Sequence, residues 1–160
     1  MIKVALGSEN FLFVRLLEWV DQAIDDGAIP NDEEIIVQYG CTKYTPRNKN
    51  MTMVSIFPYQ EQMEGFKAAR MSITHAGIGN LLDFVDIKRV PILVPRDPMR
   101  KEVVDGHQLD FCKMAKEELG LPVAFTYAQF IEELKEYNTN MTFPSFRSQL
   151  VDYLVSVIEN

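Results

Sequence analysis

Ser72-Ile73-Thr74-His75-Ala76-Gly77-Ile78-Gly79-Asn80, continuing as Leu81-Leu82-Asp83-Phe84, is the stretch from which the fold is read. A short apolar segment over 71–74 predicts a strand. It ends in a histidine, passes through a loop with two glycines, and enters a helical pattern near Asn80. A strand that empties through small residues into a helix N-terminus makes an anion site. The first amides of the helix lack intrahelical partners, and the helix dipole favours negative charge there. Glycine also lets a phosphate approach the main chain closely.

The same alternation extends both ways from this stretch. Apolar runs closed by turn residues predict strands at 2–6, 34–39, 51–57, 71–74, 90–95 and 122–125. Phe13, Leu16, Leu17, Val20, Ala23 and Ile24 recur at helical spacing, and Gly27 and Pro30 stop that helix. Pro58 opens a helix to about residue 69, and another runs over 80–88. Asp105-Gly106-His107-Gln108 looks like a capping box for a helix ending at Glu118. Thr126-Tyr127-Ala128-Gln129 looks like a second one, for a helix to about residue 137. A last helix is expected over 145–158, with Leu150, Val151, Leu154, Val157 and Ile158 on its apolar side. Strands and helices that alternate from end to end predict the α/β class, a parallel sheet with helices on both faces. We read one domain over 1–160, with a C-terminal helical extension from about 143. In such a sheet ligands bind beyond the carboxyl ends of the strands, at the switch point. Gly7, Gly40, Gly77 and Gly79 all follow expected strand ends.

Composition narrows the functional classes. The formal net charge of −7 argues against non-specific nucleic-acid binding. No apolar run approaches the roughly 20 residues that span a bilayer, and the first seven residues are too short for a signal peptide. Cys41 and Cys112 show neither pairing nor metal spacing, which predicts free thiols, a cytoplasmic setting and no metal site. The cations are unevenly spread. Residues 40–50 carry Lys43, Arg47 and Lys49 without an acid, and the segment after Pro95 carries Arg96, Arg100 and Lys101. Cations collected on one rim of an acidic protein suggest a site for a small anion.

Several residues near the strand ends suit such a site. Gly7-Ser8 is a second possible phosphate loop, and Ser8 reads equally as the cap of the following helix. Residues 7–12 lack the Gly-x-Gly-x-x-Gly fingerprint and no Walker A motif is present, so neither a dinucleotide nor a P-loop phosphate site is expected. His75 and His107, the only histidines, read as helix openers. Each is a candidate donor to phosphate or sugar oxygens, or else a capping residue, and no third and fourth ligand suggests a metal. Asp83, one turn past Asn80, is placed to accept hydrogen bonds from ribose hydroxyls, and it also complements the dipole. Phe57 and Tyr59 could hold a flat base, with core packing the other reading of Phe57.

These motifs together resemble one family. His75-Ala76-Gly77-Ile78-Gly79-Asn80 is similar to the HAGxGS loop of the glycosyltransferase family 28 C-terminal domain. Val90 through Arg96 is similar to its K-P-x-I-x-V-P-R strand, and Glu102 through Leu109 to its E-x-x-D-D-H-Q-x-E segment. Val37-Gln38-Tyr39-Gly40 and Tyr44-Thr45-Pro46 resemble its V-Q-x-G-x-T-x-Y-x-P stretch. The likeness covers nearly the whole chain in order. It is strongest to the stand-alone catalytic subunits of split bacterial exopolysaccharide and capsule glycosyltransferases, and to the corresponding subunit of the dolichol-linked enzyme. The sequence departs from the pattern at Ser8 (often threonine), Asn80 (serine), Asp83 (glutamate), Arg89-Val90 (Gly-Lys) and Gly106 (an acid or asparagine).

The resemblance implies a Rossmann-like GT-B C-terminal half-domain that binds a UDP-sugar as donor substrate and needs no cofactor. Gly7, Ser8 and the loop His75, Ala76, Gly77, Ile78, Gly79 and Asn80 would hold the diphosphate. Asp83 would meet the ribose, Phe57 the uracil, and His107 and Gln108 the donor sugar, with Arg96 also on the donor side. His75 would stabilise charge on the departing UDP. The sugar would transfer with inversion to a lipid-linked saccharide held by a membrane-anchored partner subunit, which would also recruit this chain to the inner face of the membrane. The general base would lie on that partner. Rival readings are a nucleotide-sugar-binding subunit without turnover and, against the length, a UDP-sugar epimerase. The last helices, or Phe143 and Phe146, would dock the partner or pack the core.

Overall fold

The computed structural model describes residues 1–137, 141 and 147–159. Five parallel strands, β1 (Ile2–Ala5), β2 (Ile35–Gln38), β3 (Met51–Val54), β4 (Met71–Thr74) and β5 (Ile92–Leu93), form one sheet in the order β3-β2-β1-β4-β5. Six helices accompany it: α1 (Val14–Asp25), α2 (Tyr59–Ala68), α3 (Ile78–Asp86), α4 (His107–Leu119), α5 (Tyr127–Glu136) and α6 (Arg147–Glu159). This is the α/β, Rossmann-like architecture that the sequence predicts.

Side-chain alternation along the strands explains the two helical layers. Ile2, Val4, Ile35, Val37 and Ile73 share a core with Leu16, Leu17 and Val20 of α1 and Phe130 of α5. Ala5 and Leu93 face the other way, onto Phe66 of α2, Phe84 of α3, Phe111 of α4 and Leu154 of α6. Both strand faces are therefore buried, which is why the strands read as mostly apolar runs. Each fully buried Leu, Ile or Phe here contributes about 2 kcal/mol relative to exposure. The chain leaves β1 toward β2 and β3, then returns to β4 on β1's other side. The loops after β1 and β4 thus meet at the switch point of the sheet.

Several expectations shift. Residues 122–125 do not form a sixth strand, since Val123 makes only an isolated parallel bridge to Leu93. Pro91, Pro95 and Pro122 each lack an N–H, so neither β5 nor its neighbour can extend a ladder. β3 ends at Val54, and 55–57 leave the sheet. Ser8 caps no helix, because α1 begins at Val14 with Phe13 at its N-cap. The box at Asp105 also fails. Gly106 is the N-cap, and Asp105 accepts from the His107 amide at 3.0 Å. The box at Thr126 forms on the helix side, with Thr126 Oγ1 accepting from the Gln129 amide at 3.2 Å. Phe143 and Phe146 lie outside the described residues. Among these residues no helix is long and apolar enough to cross a membrane. Cys41 is exposed, Cys112 is buried, and both are free.

The cationic loop over 40–50 is bound to α1 through Asp21 and Asp25. Asp21 of α1, fully buried, accepts from the Tyr44 hydroxyl (2.7 Å), the Arg47 amide (2.8 Å), and the Asn48 amide (3.1 Å) and Nδ2 (2.8 Å). Burial pushes its carboxyl up, but these hydrogen bonds together hold it below the ordinary range. The Arg47 guanidinium turns to Asp25 at 2.7 Å. The loop is therefore strapped to α1. Asp21→Ala should leave several buried donors unpaired and destabilise the protein by about 3 kcal/mol, read as a lower urea midpoint.

Candidate functional site

Two cavities open at the carboxyl ends of the strands, divided by the loop between β4 and α3. The first, about 550 Å³, lies over β1, β4 and the start of α2, and is lined by Gly7, Ser8, Phe57, His75, Gly77, Ile78, Gly79, Asn80 and Asp83 among others. The second, about 440 Å³, lies toward α4 and α6. Ala76, Gly77, Ile78, His107 and Gln108 line it, with Phe11, Val104, Phe111, Tyr153 and Leu154 as apolar walls. The expected site residues thus fall on two sides of one loop, with Gly77 and Ile78 bordering both cavities. Among the described residues no lysine or arginine lines either cavity.

His75 does not open a helix. Its ring is buried between two glycines. A Cβ at Gly7 would stand 2.4 Å from its Nε2, and one at Gly77 would stand 2.3 Å from its Cε1. Gly7 also has φ +79, a left-handed conformation that costs glycine little. The Gly77 amide donates to His75 Nδ1 at 3.2 Å, so the ring proton sits on Nε2. Burial pushes the imidazole down to about 3, and the Arg96 guanidinium adds to the shift. At neutral pH His75 therefore offers a neutral N–H donor rather than a cation.

The loop's amides are not all available. Ala76 donates to Gln108 Oε1 at 3.2 Å, and Gly77 is engaged by His75. Ile78, Gly79 and Asn80 form the first turn of α3, whose N-terminus no side chain caps. Their amides are the donors that a helix leaves over. The Asn80 side chain turns away, its Nδ2 donating to Thr74 Oγ1. Asp83 Oδ1 accepts from the Tyr59 hydroxyl at 2.9 Å, which joins α3 to the start of α2 across the cavity mouth.

Arg96 lines neither cavity. Its guanidinium, buried beneath the loops, donates to the carbonyls of Leu6, Phe11 (2.8 Å) and Glu102 (2.8 Å). It thus fastens the loop after β1 to the loop after β5. Gln108 does similar work: its Oε1 accepts from both the Ala76 and Arg96 amides, at 3.2 and 3.1 Å. That is why Gln108 does not return to cap its own helix.

The sequence reading did not single out Glu9, Gln38 or Gln62. Glu9 borders both cavities, and its Oε1 accepts from Gln108 Nε2 at 3.4 Å. Gln38, at the end of β2, pairs with the Gly7 amide and carbonyl (3.2 and 3.1 Å) and with the Ser55 carbonyl (3.1 Å). Its place beside Gly40 after a strand was the available signal. Nothing in the sequence marks Gln62, which reaches the first cavity from the first turn of α2.

Protonation of His75 opposes folding. The unfolded chain takes up that proton near pH 6.5 and the folded chain only near 3, so stability is full above 6.5 and falls as pH drops toward 3. In an NMR titration the His75 ring resonances should stay constant from about pH 8 to about 4.5. His75→Gln should flatten the acid limb of the stability curve.

The family model described as glycosyltransferase family 28 C-terminal domain matches residues 1–150. No curated protein matches the chain.

Proposed function

Since the chain belongs to the glycosyltransferase family 28 C-terminal domain family, and so to glycosyltransferases that draw on a sugar-nucleotide donor, we propose that its donor is a UDP-sugar held across the two cavities. The observation that carries this reading is the uncapped first turn of α3 standing between them. The diphosphate lies over the amides of Ile78, Gly79 and Asn80, beside Gly7 and Ser8. Asp83 takes the ribose hydroxyls and Phe57 flanks the uracil. The sugar extends past Gly77 into the second cavity, toward His107 and Gln108.

The chemistry follows from this charge layout. As the C1–oxygen bond breaks, negative charge grows on the diphosphate. With no lysine or arginine among the described residues lining the site, that charge is met by fixed dipoles at the α3 N-terminus and by the neutral His75 N–H. Preorganised donors of this kind stabilise charge without reorganising. Arg96 adds positive potential from below while its hydrogen bonds hold the loops in place. Attack on C1 from the face opposite the diphosphate gives inversion. The acceptor, a lipid-linked saccharide in polysaccharide assembly, and the base that takes its proton come with a membrane-anchored partner subunit. That partner keeps this chain at the cytoplasmic face.

Isothermal titration tests the donor half. UDP should bind with a dissociation constant below about 1 mM, and no heat at that concentration would sink the proposal. His75→Ala should weaken UDP binding about tenfold. Release of UDP on co-expression with the membrane partner tests turnover.

A further inference from the structure

Lys3 is an expensive residue in an unexpected place. It stands in the middle of the central strand, only 2% exposed, beside Ile36 of β2 and Ser72 of β4. Among the described residues its ammonium meets no carboxylate or acceptor at bonding distance. It lies instead 4.1 Å from the centroid of the Phe57 ring and 5.2 Å from that of Phe66. Burial lowers its pKa from the ordinary lysine range, and Glu61 of α2 opposes the shift.

Space for this ammonium is built into α2. Gly65 lies within that helix, where glycine is unfavourable relative to alanine. A Cβ at Gly65 would stand 2.3 Å from Lys3 Nζ. A methionine at 3 with an alanine at 65 would pack this face at lower cost, because burying a charge is penalised. Both costly choices place one cation against two aromatic rings, Phe57 and Phe66. Phe57 is also the only ring touched by Lys3 that reaches the first cavity. It sits in the short segment between β3 and α2, where its neighbours Ile56 and Tyr59 are exposed. Nothing in that segment's own backbone pattern fixes the ring. The Lys3 ammonium lies over its face, where cation–π attraction acts.

We propose that Lys3 is a positioning residue for the nucleotide base, its ammonium holding the Phe57 ring at the wall of the donor cavity. The inference rests on the UDP reading above and concerns only the base end of that site. The diphosphate end, at the first turn of α3, does not touch Lys3.

The test compares UDP with inorganic pyrophosphate, which lacks the base. Lys3→Met should unfold at the same or a higher temperature, since it removes a buried charge. It should bind UDP about fivefold more weakly, yet bind pyrophosphate as the wild type does, followed by amide shifts at Gly77 and Gly79. Gly65→Ala, which displaces the ammonium and keeps the charge, should show the same selective loss. If Lys3→Met does not fold, Gly65→Ala decides. Unchanged UDP affinity in these variants overturns the proposal, as does an equal loss for both ligands. A wild type that binds pyrophosphate and not UDP overturns the UDP reading instead, and this inference with it.

Discussion

A single buried guanidinium holds the functional end of this fold together. Arg96 donates to carbonyls of Leu6, Phe11 and Glu102, three points on two loops that leave different strands. Glu102 in turn makes a two-pronged pair with Arg15 of α1, both oxygens at 2.9 Å. Backbone carbonyls in a buried loop need partners, and this cation satisfies several at once. The loop after β1 is thereby fixed close enough to β4 for Gly7 to meet the His75 ring. Remove that closeness and the imidazole has no pocket, and α3 no longer presents its first turn beside Gly7.

The charge pattern of the site follows from the same arrangement. An acidic chain would be expected to recruit a donor anion with exposed lysines and arginines. This one keeps its cations out of the cavities: Arg96 below the loops, Lys3 behind Phe57, Arg47 on Asp25. The donors at the loop between the cavities are dipolar and neutral, namely the first amides of α3 and an imidazole held uncharged by burial and by Arg96. Such donors are fixed in direction and do not collapse onto neighbouring acids. Glu9 and Asp83 line the same walls as these donors.

Much of this was legible beforehand, for identifiable reasons. Parallel strands covered on both faces are mostly apolar, so β1, β2 and β4 stood out as short apolar runs despite Lys3 and Ser72. Apolar spacing gave α1, and the small residues after Thr74 gave the turn from β4 into α3. The misreadings share a cause. Asp105 with Gln108, Ser8 in its reading as a cap, and Arg47 were interpreted from neighbours in sequence. Their partners lie elsewhere: Gln108 bonds 76 and 96, Arg47 bonds 25, and Ser8 stands six residues before the helix it was expected to cap. Local patterns report local bonds, and a side chain that reaches another loop leaves no trace in its own segment.

The sequence by itself therefore determined the α/β class, the strand–helix order and the family likeness, because periodicity and short motifs are properties of contiguous residues. Only the tertiary structure decided the rest. It divided the site in two along the loop from Ala76 to Gly79, made His75 a neutral donor wedged between Gly7 and Gly77, drew Arg96 beneath the loops, and set Lys3 against Phe57. Each of these depends on which loops the strand order brings together. Burial and the field of a distant guanidinium exist only once the chain has closed around them.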